Sequence, residues 1–462
     1  MKSSQRLGTE KPLKLLVSFS IPAIVGMLVQ AMYNVISRIF IGHTVGSLGI
    51  AGVTVAFPAM MVQLAFGFMV GMGATTLVSI RLGEKKKEEA EQIIGTALIL
   101  LIIISLMITI FGITFIDPLL RLFGASDQVL PYAKEYLGIV LYGTVIMMLG
   151  FGMNNFLRAE GKPKKAMITM LIGSFSNIIL SPILISFLGW GMKGAGIATV
   201  ISQSISATWI VAHFALGKGE LKIRRRNLKL NPAFVWTIMY FGLSPFTIQI
   251  AQSLLSAFMN TSLRTYGGDL AISGMGIVIT LVSLIMMPII GINTGVQPLI
   301  GYNFGAQKYD RVKQFLKYSI IVATALATFG FIITRLFPTE LISMFNSKDK
   351  ELITFGSRAL LIFLIFLPMI GFQIVGSGYF QAVGKPIHAM ILSLSRQVLI
   401  LIPSLLILPR FFGLDGIIAS GPVADLISTI ITGTWLFMDM KNLNGKKQEH
   451  VSQNLIKSPS QA

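Results

Sequence analysis

The chain contains no cysteine, which excludes disulfides, thiolate nucleophiles and thiolate metal ligands. Its four histidines, His43, His213, His388 and His450, are scattered among loops and the ends of apolar stretches. That spacing offers no metal-ligand set and no base for a hydroxyl nucleophile, so an enzyme is not expected. Charge is scarce as well, at 12% of residues, with 19 acids against 38 bases. Only Asp425 lies well inside an apolar stretch; Asp117 and Asp439 stand at the ends of such stretches, and Asp269, Glu340 and Asp415 fall in loops. No ATP-binding module is legible. Gly71–Thr75 (GMGAT) has the look of a phosphate loop, but it sits within an apolar stretch with no strand before it and no Gly-Lys-Ser/Thr after it. No cofactor and no metal are therefore expected.

What the chain has in abundance is apolar length. It is 53% hydrophobic, and its runs reach the roughly 20 residues a helix needs to cross a bilayer. Twelve runs begin near Leu13, Ile50, Gln92, Lys134, Ala166, Gly194, Pro232, Leu270, Phe315, Gly356, Pro386 and Gly416. Lipid offers the backbone no hydrogen-bond partner, and these runs are too long for barrel strands of about 10 alternating residues, so helices are predicted. The first run, Leu13 to Ile41, exceeds the roughly 7–15-residue core of a signal peptide and stays as the first helix. The net charge of +19 would suggest nucleic acid in a soluble protein. Here the basic residues sit on alternate loops, which reads as a topology signal with both termini cytoplasmic and excludes nucleic acid as a partner.

A basic linker, Gly217–Pro232 (GKGELKIRRRNLKLNP), divides two nearly uncharged halves. Pro22 overlays Pro245, Gly83 overlays Gly305, and Gly161-Lys162-Pro163 overlays Gly384-Lys385-Pro386, at offsets of 223, 222 and 223 residues. Constant register over three markers is an internal duplication. The expected architecture is all-α and polytopic, with twelve transmembrane helices, six in each half. The expected units are a first bundle (1–216), the linker (217–232), a second bundle (233–440) and a polar cytoplasmic tail (441–462). Met1–Pro12 is read as short, polar and mobile, and Gly83–Gln92 (GEKKKEEAEQ) as a solvated helix. The linker is read as an anchor to anionic headgroups.

Polar residues inside the spans mark candidate sites. Gln30, Asn34, Ser37 and Arg38 recur at i, i+4, i+7 and i+8, one helix face that is costly to leave against lipid. Asn177 and Ser181 stand one turn apart, Gln249 and Gln252 share the seventh span, and Asn293 and Gln297 accompany Pro288 and Pro298 in the eighth, which predicts a bent helix. Arg396 and Asp425 are the opposite charges deep in spans, at depths that let them pair if their helices are neighbours. The second span, rich in Met and Gly, fits close helix packing and an adaptable pocket alike.

YNVISRIFIG, NFLRAEGKPKKAM, NIILSPILI, YGGDLAISGMGI, GVQPLIGYNFGAQ, YFQAVGK and PVADLIS, in that order along nearly the whole chain, together resemble the bacterial multidrug and toxic compound extrusion (MATE) transporters, in the branch of MepA and DinF types. The resemblance implies two six-helix bundles related by a pseudo-twofold around a central cavity that opens alternately to either side, and efflux of amphipathic small molecules in exchange for H+ or Na+. It also implies a multi-pass protein of the bacterial cytoplasmic membrane, and a monomer in contact with membrane lipids is expected. Family members carry an acid after YN-x-V in the first span and before Pro in the fifth; Ser37 and Ser181 occupy those positions here. A hydroxyl does not titrate in the physiological range, so these positions lack the group that the family's first-bundle coupling uses. Two readings stay open for Asn34, Ser37, Asn177 and Ser181: a neutral polar cluster that binds solute or water, and a satisfied interhelical network. Arg38 either lines the cavity with positive charge or snorkels to the headgroups. A flippase or exporter of lipid-linked or anionic metabolites is the alternative function. It would favour more spans and a strongly cationic cavity.

Overall fold

The computed structural model describes residues 3–216, 219–345 and 349–457; the side chains of 3, 4, 34, 35, 47, 225, 256, 257, 260, 261, 264, 269, 272 and 442–457 fall outside the description. Among the described residues there is no strand. The elements are α1 (Ser3–Leu7), α2 (Pro12–Thr44), α3 (Ser47–Gly83), α4 (Lys87–Thr114), α5 (Ile116–Leu122), α6 (Leu130–Tyr142), α7 (Thr144–Ala159), α8 (Pro163–Pro182), α9 (Gly191–Ala215) and α10 (Pro232–Gly305), then α11 (Tyr309–Leu336), α12 (Pro338–Ser343), α13 (Lys350–Phe363), α14 (Leu367–Ala382), α15 (Pro386–Leu394) and α16 (Ile402–Lys457). Two π-helical stretches, Ile183–Phe187 and Ser395–Leu401, widen the fifth and eleventh spans.

Nine segments among the described residues are long and apolar enough to cross a bilayer. The pairs α6–α7 and α13–α14, bent by 58° and 51°, supply two more. The segment Pro386–Lys441 folds back at Gly413 (φ 56°) and supplies the twelfth. The duplication is written into the backbone. Positive φ recurs at matched positions: Gly46 and Gly268, Lys85 and Gln307, Gly161 and Gly384, Gly191 and Gly413. Glycine takes this conformation without a Cβ penalty, whereas Lys85 and Gln307 must bear it at the tight turns after α3 and α10.

Glycine also sets how the halves meet. A Cβ on Gly83 would overlap the Tyr302 carbonyl oxygen, and one on Gly305 would overlap that of Ile80; Gly73 and Gly242 repeat the relation against Ile238 and Met69. Backbone thus lies directly on backbone where α3 crosses the two arms of α10, the close approach that small residues permit between membrane helices. Ile24 and Phe19 of α2 press on Gly291 and Gly295 in the same way. These contacts all lie from mid-span toward the face at which α2 begins and α3 and α10 end, so the bundles are joined there.

Two sequence expectations are corrected. The amino terminus is not loose: Leu7 is buried, its carbonyl accepts from Asn303 Nδ2 (3.0 Å) and Arg311 Nη2 (3.2 Å), and the Gly8 and Glu10 carbonyls accept from Lys308 Nζ (2.7 Å) and Arg311 Nη2 (2.6 Å). A segment that leads into the first bundle is thereby tied to the second. Arg311→Met removes two of these bonds and is expected to raise amide exchange in residues 3–10 severalfold; unchanged exchange by mass spectrometry would count against the tie. Gly83–Gln92 is a turn followed by the start of α4, and Glu91 is buried, pairing with Lys87 (3.9 Å) and Arg224 (3.4 Å). In the eighth span the backbone stays helical through Pro288 and Pro298, the break in α10 is at Gly268, and bends of 58° and 51° lie in the fourth and tenth spans.

The described part of the linker is strapped to the first bundle. Leu221 is fully buried, and its N–H donates to Glu160 Oε1 (2.9 Å). The Lys222 N–H donates to Glu91 Oε1 (3.3 Å), and the Lys229 carbonyl accepts from Thr96 Oγ1 (3.0 Å). Part of the linker's charge is therefore spent on protein carboxylates, and its first two residues, Gly217 and Lys218, lie outside the described set.

Candidate functional site

The floor between the bundles is aromatic. Phe66 of α3 and Phe246 of α10 meet at mid-span with ring centroids 5.0 Å apart, above the glycine contacts. Three residues from Phe66 toward the far face stands Gln63, only 1% exposed, with neither amide atom bonded. An amide buried without partners costs roughly 1–3 kcal/mol, so this position is expensive to keep for packing alone. Sequence reading missed it because a single Gln in an apolar run carries no periodicity.

In the first bundle Ser181 Oγ donates to Asn177 Oδ1 (3.0 Å), and Asn177 Nδ2 donates to Ser202 Oγ of α9 (3.2 Å). Ser202 Oγ in turn donates to the carbonyls of Ala198 (2.5 Å) and Thr199 (3.1 Å). All three side chains are buried, so α8 is stapled to α9. Two of the four expected cluster members are thus brought together, with Ser202 as an unforeseen third. Ser37 and Gln30 are half-buried on α2, Arg38 is exposed near Tyr136, and the Asn34 side chain lies outside the described residues.

In the second bundle Arg396 Nε donates to Asp425 Oδ1 at 2.6 Å. Asp425 is 3% exposed and Arg396 25%. Arg396 stands in the π-helical stretch Ser395–Leu401, a wide turn of the sort that collects at functional sites. Asp425 heads a polar stripe on α16 with Ser428, Thr429 and Thr432; Ser428 and Thr429 bond back to the Asp425 carbonyl (3.2 and 2.6 Å), while Thr432 Oγ1 is buried without a partner, as is Gln397 Oε1. Gln249 and Gln297 are half-buried and Gln252 is exposed. Asn293 and Gln297 fall in the joined half of the molecule, below the floor, and Asn293 is wedged against Gly378, where any larger residue would collide with it. They are thus separated from the Gln30–Arg38 face.

Two further carboxylates escaped the sequence reading as site elements because they sit at helix ends. Glu160, fully buried, pairs with Lys162 (3.1 Å) and faces His213 Nε2 (3.4 Å). Asp439 accepts from Tyr379 (2.8 Å) and pairs with Lys385. Each Gly-Lys-Pro lysine therefore finds a buried acid in its own half. No group of three or more metal-ligating side chains occurs among the described residues.

The family model MatE matches residues 22–183 and again 246–406, one match per half. The multidrug export protein MepA of Staphylococcus haemolyticus (strain JCSC1435) is 29% identical over 418 residues, 90% of this chain and 92% of that protein. MepA of Staphylococcus aureus (strain MSSA476) is 28% identical over 93% of this chain and 95% of its own. Among solved structures, the MATE multidrug transporter DinF-BH in complex with R6G is 39% identical, with a TM-score of 0.89 over 95% of this chain and 98% of its own. A multidrug resistance MATE family transporter of the MOP superfamily, in an outward-facing conformation, gives a TM-score of 0.91 at 27% identity, covering 96% of this chain and 99% of that one.

Proposed function

This chain belongs to the MatE family, and from that premise we propose that it exports amphipathic small molecules by alternating access, driven by a proton or sodium gradient that acts on its second bundle. It is a multi-pass membrane transporter and not an enzyme. The observation that carries the coupling reading is the Arg396–Asp425 pair, a carboxylate deep in a span with one cationic partner. Ser37 and Ser181 cannot take up a proton, and Ser181 is occupied by Asn177. Loading of the Asp425 carboxylate by a proton or cation cancels its attraction for Arg396.

The joined face of the bundles is the cytoplasmic one in this reading, which leaves the cavity open outward, as in the outward-facing relative. Half-buried Gln30 and Gln249 stand at mid-depth as neutral polar groups, and exposed Arg38 favours neutral or anionic substrates beside cations. The test is reconstitution into liposomes under imposed proton or sodium gradients with labelled cationic, neutral and anionic compounds. Gradient-independent movement of every compound would defeat the proposal, and movement of lipid-linked anions alone would favour a flippase.

Orientation has its own test, made simple by the absence of native cysteine. Lys229 is exposed on the linker, so Lys229→Cys is expected to react with a membrane-impermeant maleimide only after the cells are opened. Gly219 is a poor choice for this label, because a side chain there would crowd the Glu160 carboxylate. Labelling of Lys229→Cys in intact cells would reverse the topology.

A further inference from the structure

A groove of about 610 Å³ runs along an exposed flank of α2 near the end at which that helix begins. Val17, Ile21 and Pro22 line its apolar wall, and Lys11, Lys14 and Lys164 stand at its margin, the last contributed by the start of α8. Val17 and Ile21 are 46% and 55% exposed and, with Leu13 (52%), recur every four residues as one open stripe. All three lysines are exposed, and no carboxylate of the described residues lies within ion-pair distance of them. Glu10 pairs with Arg6 at 2.7 Å and acts on Lys14 only from beyond ion-pair distance. Three cations beside a wall of aliphatic carbon match an amphiphile with an anionic head and a hydrocarbon tail.

We infer that this groove is a binding site for one anionic phospholipid, its phosphate held by Lys11, Lys14 and Lys164 and an acyl chain laid along Val17, Ile21 and Pro22. Charge complementarity selects the head, since lysines near a membrane surface attract anionic lipid. The apolar stripe selects a lipid over free phosphate. The site bridges α2 and α8, which belong to one bundle, and lies directly after the amino-terminal tie to the second.

The test is native mass spectrometry of the full-length protein released from micelles containing phosphatidylglycerol and phosphatidylcholine in equal amounts. One phosphatidylglycerol is expected to be retained in preference to phosphatidylcholine, with the bound fraction falling at least fivefold in Lys11→Gln/Lys14→Gln/Lys164→Gln. A triple variant of equal charge loss on the opposite face, Lys134→Gln/Lys193→Gln/Lys350→Gln, is expected to retain it. Equal retention of both lipids, or equal loss in both triple variants, would overturn the site. Displacement by inorganic phosphate at millimolar concentration would also overturn it, because the tail would then contribute nothing.

Discussion

Asp425→Asn is expected to abolish gradient-driven export while leaving a folded, substrate-binding protein. Asparagine keeps the volume and one acceptor for Arg396 Nε, now 2.6 Å from the carboxylate, but cannot load and release a proton or hold a cation. Arg396→Met alone should be worse for the fold, since it strands a carboxylate that is 3% exposed, and removal of one member of a buried pair costs about 3 to 5 kcal/mol. Asp425→Leu with Arg396→Met removes both charges and is expected to restore the folded yield toward wild type without restoring export. The yield, read by size exclusion in detergent, separates stability from coupling. Full gradient-driven export by the paired variant would sink the coupling hypothesis and leave the pair a static fastening of α16 to the eleventh span.

Gly83→Ala with Gly305→Ala is expected to lower transport by more than tenfold by prising open the joined face. Each new methyl would overlap a backbone carbonyl oxygen on the facing helix, Tyr302 and Ile80 respectively, and a carbonyl in a helix cannot rotate away as a side chain can. Overpacking of this kind costs typically 1 to 3 kcal/mol, and the strain is relieved only when α3 and α10 part. Ser79, 1% exposed between them, supplies the reporter: Ser79→Cys should label slowly in the parent and at least several times faster in the double alanine background. Gly276→Ala is the control, because nothing lies within 4 Å of its added methyl. Equal labelling in all three would show that the bundles part without regard to this seam.

Much of the architecture was legible because a bilayer leaves few choices. Apolar length alone implies helices, and the repeat of Pro22, Gly83 and Gly161 at Pro245, Gly305 and Gly384 implies two copies of one plan. The backbone then carries the same repeat in its positive-φ positions, including Lys85 and Gln307, where residue type gives no hint. The Arg396–Asp425 contact was legible too, since two opposite charges in neighbouring spans at similar depth have few alternatives to each other. The bends within the fourth and tenth spans were not, because Gly143 and the Leu364–Phe366 stretch look no weaker than many uninterrupted segments.

By itself, then, the sequence determined the spans, the duplication and the absence of titratable groups at Ser37 and Ser181, all of which depend on residue type and spacing along one chain. Tertiary structure decided what depends on which surfaces meet. It placed Asn293 and Gln297 in the joined half, left both amide atoms of Gln63 unbonded, gave Ser202 to Asn177, and tied residues 7–10 to Asn303, Lys308 and Arg311. The physical reason is that polarity along a helix says only that a group needs a partner. Which atom supplies it, at 3 Å across some 300 residues of separation for Leu7 and Asn303, is settled by how the helices pack.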